Sequence, residues 1–296
     1  MTDTLLAAAS RYAESHCLDG VAPTPVRGLT ILHETMPTAL NYAISTPLVA
    51  IVLQGSKRVA MGTAAFDFGA GESLLITMDV PTVSQITRAS AGAPYVSLVV
   101  DLDHAVIQGL VAEMGAAPFA AGQPVRVGAT DSEVTDAALR LMRLLDRPAS
   151  LGILQPQLWR ELHFWLLSGR HGGAIRALGI TDSHAQRIAR AVAMIRSDPA
   201  KTLRVERLAD VAGMSVSAFH EHFRTITSLT PLQFQKHVRL IEARRMLLAE
   251  GAMIGNVAYA VGYESVSQFT REYGRLFGMP PARDVKAAKV RLRSAA

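Results

Sequence analysis

The C-terminal part of the chain contains a stretch that repeats itself. Ala209, Gly213, Ser215, Val216, Ser217 and Phe219 return as Ala258, Gly262, Ser265, Val266, Ser267 and Phe269. The offset is 49 up to the glycine and 50 after it, so the second copy has one extra residue in its turn. Each copy reads as helix, glycine turn, helix. Glycine admits the left-handed backbone that such a turn needs. The serine that follows is a natural helix N-cap. Phe219 and Phe223, like Phe269 and Tyr273, are four apart and share one helix face. A helix-turn-helix of this kind can seat its second helix in a DNA major groove. Two units, at about 205–226 and 254–277, can address two neighbouring grooves from one chain.

With the aromatic face turned inward, the outward residues follow. In the first unit they are Ser217, His220, Glu221 and Arg224; in the second, Ser267, Gln268, Thr270 and Arg271. Arg271 can donate two hydrogen bonds to guanine O6 and N7, and Gln268 can pair with adenine. Ser217, Ser267 and Thr270 are small enough to meet a base edge or a methyl group. His220 can hydrogen-bond, whereas Glu221 repels phosphate unless it accepts from a cytosine amine. Arg187, Arg190, Arg224, Lys236, Arg239 and Arg275 are the candidates for phosphate contacts, which orient without specifying. Residues 231–249 read as one helix with Leu232, Phe234, Val238, Ile241 and Leu248 inward. At 1.5 Å per residue it spans roughly 27 Å, close to the ~34 Å between successive major-groove faces.

Charge follows the same division. Residues 1–180 carry 12 Lys/Arg against 15 Asp/Glu, while residues 181–296 carry 18 against 10. Only the second part has the basic balance of a polyanion binder. The 296 residues suit two domains, expected at 1–180 and 181–296. No apolar run is long enough to span a bilayer, and the N-terminus lacks the pattern of a secretory signal. The single cysteine, Cys17, fits a reducing compartment, so a cytoplasmic location is expected.

The first 180 residues change texture twice. Residues 3–14 suggest a short helix. Between 28 and 102, short apolar or β-branched runs at 30–33, 47–53, 57–61, 72–78, 83–87 and 95–102 alternate with Gly, Pro and Asp. Many short strands between frequent turns indicate a sandwich or barrel. Helical periodicity returns at 102–114, 131–145 and 151–167. In 131–145 the stripe Val134, Ala138, Leu141 and Leu145 suits either a subunit interface or packing on the barrel. The glycines at 169–173 suggest a boundary, with 174–183 as a linker.

Residues 184–284 resemble the DNA-binding part of the AraC/XylS family of bacterial transcription regulators. The resemblance is carried by Ala209, Gly213, Ser215, Phe219 and Phe223, then by Pro231, Arg239, Ala243, Leu247 and Leu248. The second unit adds Ile254, Val257, Ala258, Gly262, Tyr263, Ser267, Phe269, Tyr273, Phe277, Gly278 and Pro281. Departures are Glu221 in place of a basic residue, Tyr273 in place of Phe, Gly274, and Asp284–Val285 after the final proline. The N-terminal half resembles that family's cupin-like domain through 47–59, Gly62, Gly71–Glu72, 79–81, Pro94–Tyr95 and 141–148. The resemblance implies an α+β chain: a cupin-like β-barrel with flanking helices, then an all-α double helix-turn-helix domain. It further implies a regulator, often an activator, with promoter DNA and a small-molecule effector as partners. A homodimer through the N-terminal domain and contact with RNA polymerase belong to the same implication.

Other chemistries find little support in the residues. His33 and His104 lie far apart with no His-x-His, and His220-Glu221-His222 lacks the i,i+4 pair that puts two ligands on one helix face. No metal site or cofactor is expected. No nucleophile elbow, phosphate-cradling glycine loop or redox cysteine pair is present, so an enzyme is not expected. Cys17 suits a reactive sensor or a buried inert thiol. A sequence-tolerant architectural DNA binder is the alternative to a specific regulator; Gln268 and Arg271 argue against it.

Overall fold

The structure is a computed structural model that describes residues 4–115, 124–180, 182–249 and 251–294. Asp3, expected to open the first helix, and Thr181, expected at the domain boundary, lie outside the described residues. Two compact units divide the chain at 186/187.

The first unit runs α1 (Leu5–His16), β1 (Val21–Pro23), β2 (Leu29–Glu34), β3 (Asn41–Ser45), β4 (Leu48–Gln54) and β5 (Ser56–Met61). It continues β6 (Ala64–Gly69), β7 (Glu72–Ile76), β8 (Val80–Arg88), β9 (Tyr95–Asp101), α2 (His104–Met114) and β10 (Val125–Ala129). Then come α3 (Ser132–Leu145), α4 (Pro148–Ser168) and α5 (Gly172–Gly179). The strands form two antiparallel sheets, ordered β1-β2-β9-β4-β7-β10 and β3-β8-β5-β6. This is the expected double-sheet domain with flanking helices. β1, β3, β6 and β10 are additions to the strands read from the sequence.

One face of the larger sheet packs on helices. Leu29, Ile31, Val49, Ile51, Leu75, Val96, Leu98 and Val100 share a core with α1, α3 and α4. The alternate residues Ala50, Val52, Leu74, Ile76, Tyr95 and Ser97 are buried as well. They need a second cover, which the smaller sheet supplies; β6 lies against β4, β7 and β10. The chain passes repeatedly from one sheet to the other, as from β4 into β5 and from β7 into β8. The passage from β4 into β5 turns at Gly55, whose φ is 82°. A Cβ there would lie 2.5 Å from the Arg88 carbonyl oxygen and 3.0 Å from Tyr95 Cα. Only glycine fits this corner.

The α3 stripe resolves toward packing: Val134, Ala137, Ala138, Leu141 and Met142 are buried in the helix-facing core. The linker expected at 174–183 is corrected. Residues Gly172–Gly179 form α5, which packs on α2 and α4 and buries Ala174 and Ile175. The glycines before it do not free the chain. Asp131 Oδ2 accepts the Arg170 N–H at 2.9 Å. His171 Nε2 lies 3.2 Å from Ser73 Oγ. Cys17 is half-buried, its thiol donating to the His33 carbonyl oxygen at 3.8 Å. Burial pushes that thiol above its ordinary pKa, which favours the inert form.

The second unit contains most of α6 (His184–Ser197), then α7 (Val205–Ala212), α8 (Val216–Thr227), α9 (Pro231–Ala249), α10 (Ile254–Ala260), α11 (Val266–Phe277) and α12 (Pro281–Ser294). α9 contacts α8, α10, α11 and α12. A helix surrounded this way has no single apolar stripe. Its buried residues are Pro231, Phe234, Gln235, Val238, Leu240, Ala243 and Leu247. Leu232, expected inward, is instead 60% exposed, on the opposite side of the first turn from the buried Pro231 and Phe234.

His163 links fold and pH. It is fully buried. Its Nδ1 lies 2.9 Å from the Trp159 carbonyl oxygen, and its Nε2 accepts the Asp103 N–H at 3.0 Å. The acceptor role requires the neutral ring. Burial lowers the His163 pKa, and burial lowers His171 likewise. In the unfolded chain a histidine titrates near ~6.5. The unfolded state therefore takes up these protons first, and stability present above that pH is lost as the pH falls toward the folded values. Both tryptophans, Trp159 and Trp165, lie in the first unit and report its unfolding. Urea midpoints by tryptophan fluorescence should fall between pH 7 and 5. The fall should be shallower in His163→Leu than in the wild type.

Candidate nucleic-acid interface

Both repeats fold as helix-turn-helix units with the same capping. Gly213 ends α7 in the left-handed region, φ 62°. Ser215 caps α8 by accepting the Ala218 N–H at 3.3 Å. In the second unit the left-handed residue is Gly262, and Ser265 caps α11 through the Gln268 N–H at 3.4 Å. Glu264 is the extra residue in that turn. The rings expected inward are fully buried: Phe219, Phe223, Phe269 and Tyr273. They continue into aromatic clusters, Phe219–Phe223–Phe234 in one unit and Tyr263–Phe269–Tyr273–Phe277 in the other. Removing a ring at such depth costs about 3–5 kcal/mol.

Fixing those faces inward turns the candidate readers outward. Ser217, His220 and Glu221 are exposed on α8, as are Ser267, Gln268 and Arg271 on α11, with Thr270 half-buried. Arg224, Arg271 and Arg275 are exposed, and their side chains make no hydrogen bond or ion pair among the described residues. Gln268 is tethered: its Nε2 lies 3.4 Å from Glu272 Oε1. Glu272 also accepts from Lys236 Nζ at 2.9 Å and from the Tyr263 hydroxyl at 2.8 Å. Burial pushes the Glu272 carboxyl up, but these three donors outweigh it and hold its pKa below the ordinary value.

Several cations expected on phosphate have structural partners. Arg239 is the clear correction. Its Nε donates to the Pro199 carbonyl oxygen at 2.6 Å, Nη1 to Gly262 at 3.0 Å and Nη2 to Ala200 at 2.9 Å. Nη2 also reaches the Lys201 carbonyl oxygen at 3.3 Å. The half-buried guanidinium thus joins the segment before α7 to the turn of the second unit. Gln235 Nε2 reinforces it, donating to Lys201 at 2.6 Å and Pro199 at 3.2 Å. Gly262 lies against the same segment: a Cβ there would stand 2.3 Å from the Ala200 carbonyl oxygen. Arg187 and Arg190 donate Nε to the carbonyl oxygens of Ala212 and Val211, at 2.7 and 3.3 Å. Their charge sits at the C-terminus of α7, where the helix dipole favours a cation. Lys236 is held by Glu272.

The sequence reading missed one network. Asp284, 3% exposed, accepts from Arg244 Nε at 2.7 Å and from the Tyr273 hydroxyl at 2.8 Å, both on Oδ2. Arg244 also stacks over the Phe277 ring, 5.3 Å from its centroid. Tyr273 and Asp284 were two separate departures from the family pattern; here they form one hydrogen bond. The signal was the joint change of a ring to a phenol and of a distant residue to a carboxylate.

Comparison with known proteins follows this division. Residues 25–174 match the family described as the AraC-type transcriptional regulator N-terminus, and residues 208–287 match a helix-turn-helix domain family. The HTH-type transcriptional regulator YobQ of Bacillus subtilis is 25% identical over 163 residues, 52% of this chain and 67% of its own length. A putative AraC-like transcription regulator of Streptomyces lividans is 33% identical over 94 residues, 32% of this chain and 31% of its own. The RCS-specific transcriptional activator RclR of Escherichia coli is 36% identical over 83 residues, 28% of this chain and 29% of its own. The matches to these last two thus span under a third of either protein. Among solved structures, ToxT of Vibrio cholerae aligns with a TM-score of 0.57, covering 89% of this chain and 98% of its own, at 10% identity. That likeness is one of fold. Another ToxT structure contains an unsaturated fatty acid.

Removing the Asp284 carboxylate takes away the acceptor that Arg244 Nε and the Tyr273 hydroxyl share. Asp284→Ala should destabilise the helical unit by about 3–5 kcal/mol, and Tyr273→Phe by about 1.5–3 kcal/mol. Thermal unfolding followed by far-UV circular dichroism measures both.

Proposed function

Because the chain belongs to the AraC-type transcriptional regulators, we propose that it is a sequence-specific regulator of promoter activity governed by a small molecule in its N-terminal double sheet. The observation that carries this reading is the pair of helix-turn-helix units on one scaffold, with polar faces outward and Arg239 joining their supports. Base reading falls chiefly to the second unit. Arg271 is exposed on α11 and suits a bidentate contact with guanine. Gln268, with its amide nitrogen turned toward Glu272, presents its carbonyl oxygen as an acceptor. The first unit, with Ser217, His220 and Glu221, positions the protein or reads a narrower code. Arg224 and Arg275 supply phosphate contacts.

Effector control is supported by the double sheet and by the ToxT fold, one member of which holds a fatty acid. Binding of the effector shifts the balance between states that differ in DNA affinity. The regulator acts in the cytoplasm, pairs with a second copy through its N-terminal unit and contacts RNA polymerase. Sedimentation of the full chain tests the pairing; a monomer at all concentrations removes it.

Arg271→Ala should relax discrimination at one base position by ~1–3 kcal/mol. Selection of binding sites from random DNA, with affinities measured on the selected and altered sites, reads this directly. Equal losses on every sequence would make Arg271 a phosphate contact. A wild-type chain with no preference, and a salt slope identical on all DNA, would make the protein an architectural binder.

A further inference from the structure

Glu272 is held from outside its own helix on both carboxylate oxygens. Tyr263, in the turn before α11, donates its hydroxyl to Oε2 at 2.8 Å. Lys236, on α9, donates Nζ to Oε1 at 2.9 Å. The Tyr263 ring is itself fixed, 5% exposed and edge-on to Phe269 with 5.4 Å between centroids. To leave its place, the carboxylate must break a hydrogen bond to the turn and an ion pair to the connecting helix. Charge-assisted contacts of this kind are the stronger ones.

Gln268 stands one helical turn earlier on α11, and residues four apart are neighbours on a helix surface. Its Nε2 donates to Glu272 Oε1 at 3.4 Å. The Glu272 carboxyl titrates below its ordinary value, so it is ionised at neutral pH. An ionised carboxylate accepts hydrogen bonds and donates none. It therefore takes the Gln268 amide by the nitrogen and not by the oxygen. A glutamine free in solvent offers either end, because its terminal torsion is broad and roughly two-fold. Gln268 is restricted to one. It is exposed, one turn from Arg271, and its Oε1 accepts no hydrogen bond among the described residues.

That restriction gives the contact a sign. In the major groove adenine and cytosine present amines, whereas guanine and thymine present carbonyl oxygens. An amide oxygen attracts the first pair and is repelled by the second. Every base pair carries one amine and one carbonyl, so the sign tells the protein which strand bears the amine. Glu272 engages one amide N–H and leaves the other for adenine N7, an acceptor that cytosine lacks.

We propose that Glu272 is a positioning residue for base recognition: held by Tyr263 and Lys236, it turns the Gln268 amide so that the second unit selects adenine on the strand facing α11. This rests on the reading of Gln268 as a base contact and adds what sets its polarity. A pair that merely steadied the helix would move the melting temperature and leave base preference alone.

Selection of binding sites from random DNA by the full chain, followed by affinities on sites altered one base pair at a time, tests it. Gln268→Ala and Arg271→Ala identify the position each residue reads, as the one whose preference is relaxed. Glu272→Met keeps the length of the side chain and removes the acceptor. At the Gln268 position it should lower the preference for adenine by about fivefold or more. At the Arg271 position it should change the preference by less than about twofold. Added to Gln268→Ala, it should have no further effect at the Gln268 position, since the two act through one contact. The wild type carries a test that needs no variant. Purine in place of the selected adenine removes the N6 amine and should weaken binding by about fivefold or more. 7-Deazaadenine removes only N7 and should cost less.

A Glu272→Met protein with its adenine preference intact overturns the positioning role and leaves sequence-specific regulation standing. Equal losses at the Gln268 and Arg271 positions would make Glu272 a support for the whole helix, and the proposal falls. It falls likewise if Gln268→Ala relaxes no position, if another base is selected there, or if 7-deazaadenine costs more than purine. A wild type that selects no site removes the proposal and the regulatory reading together.

Discussion

The geometry of the DNA-binding unit depends on one guanidinium. Arg239 extends from the central helix and holds the carbonyl oxygens of Pro199, Ala200 and Gly262, with Lys201 at longer range. The first three belong to two segments far apart in sequence, the approach to α7 and the turn before α11. A lysine is a point charge and could not span that fan of acceptors; a planar fork can. Gly262 completes the joint by letting the Ala200 backbone approach where a side chain would collide. The two helix-turn-helix units are thereby referred to one support, and rotation of one turn against the other breaks hydrogen bonds rather than merely bending a loop.

Around that joint two carboxylates gather side-chain donors in the second half of the unit. Glu272 gathers Lys236, Tyr263 and Gln268, and Asp284 gathers Arg244 and Tyr273. The first repeat relies on rings, with Thr227 as a buried hydroxyl bonded to the carbonyl oxygens of Phe223 and Leu229. Equivalent folds thus rest on different chemistry. The copy with these carboxylate networks also exposes Arg271 and tethers Gln268.

The helical unit was largely legible because its signals are local. A glycine turn, a serine cap and rings four apart are read along a single segment, and Phe219, Phe223, Phe269 and Tyr273 lie where that spacing puts them. Side-chain destinations were less legible. Arg239 and Arg275 look alike in sequence, and only tertiary structure shows that one meets carbonyl oxygens and the other solvent. Leu232 has the apolar character of Phe234 but lies on the opposite side of the first turn of α9. In the first unit, strand periodicity was blurred for a physical reason: β4 and β9 bury both faces, so apolar residues run on without alternation. β10 was missed because one short strand, Val125–Ala129, gives little pattern without its partner β7. α5 was mistaken for a linker because glycines commonly end helices, yet here Gly172 begins one.

The doubly buried sheet has a mechanical meaning. On β9, Ser97 faces the space between the sheets and Leu98 faces the helix layer, with one peptide bond between them. On β4, Val52 and Ile51 divide in the same way. Close-packed interiors have low compressibility and pass displacements on. No compliant layer separates the inner surface of the double sheet from α1, α3 and α4. A strand pushed from one side must move the packing on the other, so the sheet acts as a diaphragm between the two cores of the same unit.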